Sequence, residues 1–461
     1  MSRARPSRSA RQSSARAVPD EALTILHPNA AGIDIGLVEM WVSVRSDRDP
    51  DPVRTFGMNT PDLLAVAAWL QACGVETVAM ESTGVYWIPL YEVLAEQGFE
   101  VYLVNARQAK HLPGRKTDET DAQWLRRLHT YGMLNNSFLP SEELRAVRTY
   151  MRHRAELIER RAAHIQHMQK ALHEMNLRLS PTVKDITGVT GLAIIRAILA
   201  GERDPLQLAQ LRDRRCAQPE AEFVVALTGH YRDEHLFTLK QALALYDAYT
   251  QQLAECDQEL ERKFSALKPI HDRELPPLDR TDKRNTHSKN APAYDARELL
   301  YRLLGVDLVA VDGLNEVTAQ IIITEIGTDL SRWKTERHFC SWLGLAPHTA
   351  ISGGRVLYSH VLKTQNRAGQ ALRLAAQAVA KTDTVYGIYF RRMRALHGPQ
   401  QAIVATAHKI ARAIYHMLRE HQPYQPQRAD EYLERERTRE IARLEKKATK
   451  LGFKLAPATA A

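Results

Sequence analysis

The sequence predicts an α/β domain followed by a mainly α-helical region. Three observations carry that expectation: the order of short apolar runs between residues 31 and 130, a stretch without Gly or Pro over 141–179, and two similar segments in which a glycine turn opens an apolar helix. With 461 residues, 44% of them apolar, the chain has the length for two or three domains and the material for their cores.

From Ala31 the runs AGIDIGLVEMWVSV and VRTFGM read as three strands separated by turns. A helix over PDLLAVAAWLQACG closes at Gly74; strand ETVAME, helix WIPLYEVLAEQG, strand FEVYLVN and helix DETDAQWLRRL follow. The order β-β-β-α-β-α-β-α is that of an RNase H-like mixed sheet with helices, assigned to residues 28–140. A long helix is expected over 141–180, because Met151, Ile158, Ile165, Leu172 and Leu179 recur at seven-residue steps with Ala155 and Ala162 between them. That column fits either a coiled coil between subunits or an arm packed on its own chain. Residues 181–300 read as a helical insertion and linker, 301–420 as a mainly helical C-terminal domain and 421–461 as a charged helical tail.

The segments DITGVTGLAIIRAILAG (185–201) and AVDGLNEVTAQIIITEIG (310–327) resemble helix-hairpin-helix elements, whose glycine turns bring backbone N–H groups against a DNA phosphate. Gly188, Gly191 and Gly313 are the candidates there. The plainer alternative is a glycine turn between two core helices.

Lys plus Arg number 63 against 54 Asp plus Glu. The excess is concentrated in residues 351–420, where eleven basic residues face only Asp383 and Glu420, a balance that attracts a polyanion. The widely spaced Cys73, Cys216, Cys256 and Cys340 form no C-x-x-C pair, which argues against a zinc ribbon or a disulfide framework and fits a reducing cytoplasm. Residues 1–27 read as a disordered basic arm. No apolar h-region follows it, and no apolar run approaches a membrane span.

Four carboxylates stand where this element order would gather them. Asp34 lies between Ile33 and Ile35 in a strand expected to be buried, where an unpaired charge is costly. Glu81 ends the fourth strand, and Asp118 and Asp121 are three apart at the start of a helix, hence on one face and near its positive end. Oxygen ligands from adjacent strands and a nearby helix are the set that hard divalent cations need for phosphodiester chemistry. Each acid alone has a simpler reading: a helix cap for Asp118 or Asp121, a turn residue for Glu81.

Downstream, WLGLAPHTAISGGRVLYSHVLK places Ser352 before Gly353 and Gly354, with Arg355 and Lys363 beyond. Ser-Gly-Gly marks a hairpin turn; alternatively, the glycines let the backbone approach a phosphate that the serine hydroxyl attacks. No local His or Asp completes a hydrolytic triad. The absence of a G-x-x-x-x-G-K-[ST] motif fits chemistry without a nucleotide cofactor.

Taken together, GIDIG, AMESTG, KTDETDAQWL, VDGLNEVTAQIIITEIG, FCSWLGLAP, SGG and AHKIA resemble the DEDD transposases of the insertion-sequence family IS one-ten, with its IS eleven-eleven branch, over residues 28–180 and 300–420. The resemblance implies a RuvC-like domain in which Asp34, Glu81, Asp118 and Asp121 bind Mg²⁺, with Mn²⁺ as a substitute, and a transposase domain in which Ser352 forms a phosphoserine link to DNA. It further implies recombination of insertion-sequence ends with a target, guidance by a structured bridge RNA, and a homodimer or homotetramer in which another subunit's acidic site completes the centre. Lys363 and Arg373 take the positions of family basic residues. The chain departs from the family in its 206–300 segment and in VLKTQNRAGQALR, where Lys-x-Gly-Asn before Leu-Arg is frequent. The rival readings are a junction nuclease that uses water and a non-catalytic nucleic-acid-binding protein. A transposase of this kind is expected to act on cytoplasmic, nucleoid-associated DNA.

Overall fold

The structure is a computed structural model that describes residues 24–82, 84–105, 120–271, 273–277, 289–361, 366–426 and 428–456. It divides into two compact units, Met1–Leu139 and Pro140–Ala461. No helix among the described residues is long and apolar enough to cross a membrane.

The first unit is a five-stranded mixed sheet built from β1 (Ala30–Ile35), β2 (Glu39–Ser43), β3 (Val53–Gly57), β4 (Thr77–Glu81) and β5 (Glu100–Val104). The strand order is β3-β2-β1-β4-β5. The first three strands form an antiparallel meander, while β4 and β5 join parallel to β1 through crossover helices α1 (Thr60–Ala72) and α2 (Trp87–Glu96). This is the RNase H-like arrangement. Alternation along the strands assigns their faces. Ile33, Ile35, Met40, Val42, Val78, Met80, Val101 and Leu103 pack with Leu63, Val66, Leu70, Leu90 and Leu94 in one core. The opposite residues Ala79 and Val104 pack with Trp124, Leu125 and Leu128 of α3 (Asp121–Thr130).

Two contacts seat α3. Gly32 of β1 faces it, and any side chain there would overlap the Ala122 carbonyl oxygen and the Arg126 backbone, so the helix backbone rests directly on the strand. At the other end of α3, fully buried His129 places Nε2 2.9 Å from Thr77 Oγ1, whose hydroxyl donates to the Glu100 carbonyl at 3.0 Å. Thr77 Oγ1 therefore accepts a hydrogen bond from His129 Nε2, and Nδ1 is left without a hydrogen-bond partner. The His27 and Tyr102 rings lie 4.5 Å from the imidazole.

The second unit is built on a long helical hairpin. Helix α4 (Glu142–Glu174) and helix α9 (Asp233–Ser265), each of 33 residues, pack against one another. Between them in sequence are the short α5 (Leu179–Thr182), α6 (Val189–Leu199), α7 (Pro205–Gln210) and α8 (Glu220–Leu227). These close a core of Leu172, Met175, Ile186, Ile194, Ile195, Phe223 and Leu239. Helix α4 packs on the chain's own α9, and the seven-residue column runs along its buried side. Met151 and Leu172 of the column are buried and Ile158 and Ile165 half-buried, with Val147, Arg154 and Met168 buried in the neighbouring row, while Ala155 and Ala162 are exposed.

Arg154 is a charge inside that seam. It meets Asp257 of α9 through two bonds, Nε–Oδ1 at 2.5 Å and Nη2–Oδ2 at 3.2 Å, with both side chains under a tenth exposed. The guanidinium also donates to the Asn290 and Ala291 carbonyls, and the Ala293 amide donates to Asp257 Oδ2. The end of the polar linker is thereby tied to the hairpin. Beyond it come α10 (Ala296–Leu304), α11 (Glu316–Ile326), α12 (Glu336–Trp342), strands β6 (Pro347–Ser352) and β7 (Arg355–Val361), then α13 (Arg367–Ala378), α14 (Val385–His397), α15 (Pro399–Glu420) and α16 (Ala429–Lys450). Arg152 of α4 holds Glu325 of α11 at 2.8 Å.

Burial, and secondarily the neighbouring His27, lower the His129 pKa to about 4. In the unfolded chain it returns to about 6.5. Between those values the unfolded chain binds the extra proton, so stability is full above about pH 6.5 and falls toward pH 4, by roughly 3 kcal/mol in all. His129→Phe is expected to flatten this part of a urea-denaturation pH profile; an unchanged slope would show that other groups set it. For the second unit, Arg154→Ala is expected to cost roughly 3–5 kcal/mol, and the double change Arg154→Met with Asp257→Leu much less. Equal losses in the two proteins' denaturation curves would contradict this account.

Candidate carboxylate site and serine hairpin

Asp34 and Glu81 occupy equivalent places on the two central parallel strands. Ile33 pairs with Met80, and the two acids are the next residues along. Both lie two residues beyond positions that face α3, Gly32 and Ala79, so both point to the α3 side of the sheet. Helix α3 runs from Asp121 at this end to His129 over Thr77 at the far end of β4. Its positive N-terminus is thus at the same carboxyl edge of the sheet as the two acids.

All three carboxylates are partly exposed. The buried setting expected for Asp34 therefore does not hold. Its neighbours Ile33 and Ile35 are buried on the other face, while Asp34 looks toward the open edge where solvent reaches it.

Asp118 lies outside the described residues. The helix begins at Asp121. Thr120 is its N-cap in extended conformation, its hydroxyl accepting from the Gln123 amide at 3.3 Å while Gln123 Oε1 accepts from the Thr120 amide at 3.1 Å. This Thr-x-x-Gln capping box sets the start of the helix at Asp121. Among the described residues, no group of three or more His, Cys, Asp or Glu side chains converges as a metal site. The donors that are described, carboxylate oxygens at one edge of a sheet, have the chemistry that a hard divalent cation requires.

Ser352 ends β6 and pairs with Arg355 of β7 across the two-residue turn Gly353-Gly354. Both glycines have positive φ, 55° and 77°, as a type I′ turn demands, and a Cβ on either would meet only open space. The glycines are therefore explained by the turn. The serine stands exposed at its rim.

The remaining basic and glycine candidates divide. Arg355 is exposed beside Ser352, and Lys363 lies outside the described residues. Arg373 is used within the fold, Nη2 donating to the Gly344 carbonyl at 2.7 Å. Gly188 caps α6, while Gly191 packs against the Ile186 backbone and Gly313 against Ala375 and Val379. One glycine in each copy of the helix-hairpin-helix-like pattern, Gly191 in the first and Gly313 in the second, serves close internal packing, in keeping with the plainer of the two readings. The residues that position the acidic edge, Gly32, Thr77 and His129, were not singled out from the sequence. A glycine two residues before an acid in a buried strand was the available signal.

Two family profiles match the chain. One, described as a transposase and bearing the DEDD designation, covers residues 31–177, and the second, described as the transposase IS116/IS110/IS902 family, covers residues 307–389. No curated protein matches. The first match spans the sheet with Asp34, Glu81 and Asp121, and the second spans α11 to α13 with the Ser352 hairpin and ends within α14. The family implies DNA binding and a divalent metal ion. The chain belongs to the IS110 family of transposases, enzymes that catalyse DNA transposition.

Proposed function

We propose that this transposase cuts and rejoins DNA through Ser352, with Asp34, Glu81, Asp118 and Asp121 holding Mg²⁺, and that a bridge RNA selects the sites. The observation that carries the acidic half is the placement of Asp34 and Glu81 side by side on β1 and β4 beneath the positive end of α3. For the serine half, support comes from the exposed hydroxyl at a bare glycine turn, next to the cationic Arg355.

In this reading Ser352 Oγ attacks the scissile phosphorus and the bond to O3′ breaks. The serine gives up its proton, and O3′ takes one as it leaves as a hydroxyl. A 3′ hydroxyl then attacks the phosphoserine, restoring the phosphodiester and the serine. One phosphoester bond is exchanged for another at each step, so no ATP is consumed. A divalent cation, when bound, supplies Lewis-acid polarisation of the phosphate. Arg355 orients a phosphate oxygen, and the carboxylates of the β1 and β4 edge hold the cation. The basic 351–420 stretch supplies attraction for nucleic acid.

With Mg²⁺ and DNA carrying the element's ends, the full chain is expected to form a covalent protein–DNA adduct. Asp34→Ala should lower its formation by at least about 10³-fold. Ser352→Ala should abolish the adduct and lower strand exchange by about 10⁴-fold or more. The open hairpin, explained by its turn alone, also suits a nuclease that uses water; metal-dependent cleavage at full rate in Ser352→Ala would establish that reading instead. For the assembly, an equimolar mixture of Asp34→Ala and Ser352→Ala chains should regain exchange if acids and serine come from different copies, and complete inactivity of the mixture would refute that. Sequencing RNA that co-purifies with the chain tests the guide; recovery of no RNA from the element's flanks removes it.

A further inference from the structure

The β6–β7 hairpin exposes every strand residue except Ala350 and Val361. A two-stranded hairpin is marginal by itself, and this one leaves Ile351, Val356, Leu357 and Tyr358 exposed by 65, 61, 65 and 49%. Its register separates two faces, because cross-strand partners point the same way. Ile351 with Val356, and Thr349 with Ser359, lie on one face, the last two joined by a 2.9 Å hydroxyl hydrogen bond. The other carries Ser352 with Arg355, Ala350 with Tyr358, and His348 with His360; the register shift at Ala350/Ile351 leaves Leu357 as the extra residue. On that second face the rings form a continuous group. Tyr358 is 5.0 Å from His360 and 6.3 Å from His348, and the two imidazoles are 6.4 Å apart.

We propose that this face is a stacking track for unpaired nucleotides of the DNA strand whose phosphate meets Ser352. The rings of Tyr358, His360 and His348 stack on bases, and Arg355 takes the backbone phosphate next to the serine. Charge selects a polyanionic occupant, since no acidic residue occurs between Glu336 and Asp383 while Arg337, Arg355, Arg367, Arg373 and Lys381 do. Ring faces select unpaired bases. A duplex offers phosphates but keeps its base faces stacked within itself, whereas proteins that bind single strands combine cationic side chains with exposed aromatics. The proposal deepens the preceding reading and rests on it for what the track leads to.

The test is fluorescence anisotropy of the full-length chain, without divalent cation so that no chemistry intervenes. The probes are a labelled oligothymidylate of about 16 nucleotides, the upper end of single-strand site sizes, and a duplex of equal length. Tyr358→Ala should weaken oligothymidylate binding by about 5- to 100-fold, the scale of one lost base–aromatic stack, and leave duplex binding close to unchanged. Tyr358→Phe should retain binding. Val356→Ser, on the opposite face, should bind both probes as the parent does, which separates loss of a ring from loss of the hairpin. Unchanged oligothymidylate binding in the triple variant His348→Ala, Tyr358→Ala, His360→Ala overturns the track. So does an equal loss for both probes, which would mark a general basic patch, or an equal loss in Val356→Ser. Failure of the serine reading is distinguished by the adduct: if Ser352→Ala still forms one, the nucleophile assignment falls, while the binding data judge the track by themselves.

Discussion

The missing side chain at Gly32 is the constraint on which the acidic edge depends. With nothing on β1 at that position, the backbone of α3 lies directly on the strand, and the helix axis is set by backbone contact instead of by interdigitating side chains. The Thr77–His129 hydrogen bond fixes the other end of the same helix. A helix held at two points on neighbouring strands has little freedom to slide, so its N-terminus stays with Asp34 and Glu81. The orphaned Nδ1 of His129 is a cost of this arrangement, accepted in return for a buried neutral ring that fills the space between α3 and Tyr102.

The second unit solves a different problem. Two helices of 33 residues need more than apolar contact to choose one register, since small slips of a uniform seam differ little in energy. Arg154 and Asp257 supply the discrimination. A displaced register would leave both charges buried without a partner, at a cost well above the net worth of the pair. Because the same two groups bind the backbone at 290–293, the register of the arm also sets where the chain enters the helices that carry the serine hairpin.

That hairpin contrasts with the rest of the fold. It has no core of its own, and its turn glycines, its Arg355 and its rings are all turned to solvent. Exposed apolar and aromatic side chains on a basic, acid-free segment are costly to keep unless something covers them. Membership in a transposase family supplies a polyanion as the natural cover, and the ring-bearing side is the one that shares its face with Ser352.

Much of this was legible from periodicity. The apolar runs AGIDIG, TVAME and EVYLV marked three of the strands and put Glu81 at the end of one of them. The family was legible in the motifs because they are local: strand ends, glycine turns and caps are dictated by neighbouring residues. What local pattern did not decide was partnership. The seven-residue column in α4 allowed a partner from either chain, and only the folded hairpin showed α9 of the same chain packed against it. Likewise a buried Arg154, a Gly32 pressed by a helix ninety residues later and a ring cluster closed across a hairpin all join residues far apart in sequence or related through a bulge. The sequence by itself determined the elements, their order and the chemistry carried at their ends. Tertiary structure decided which of those ends meet, because close packing and the penalty on buried charge act between segments and leave no local trace.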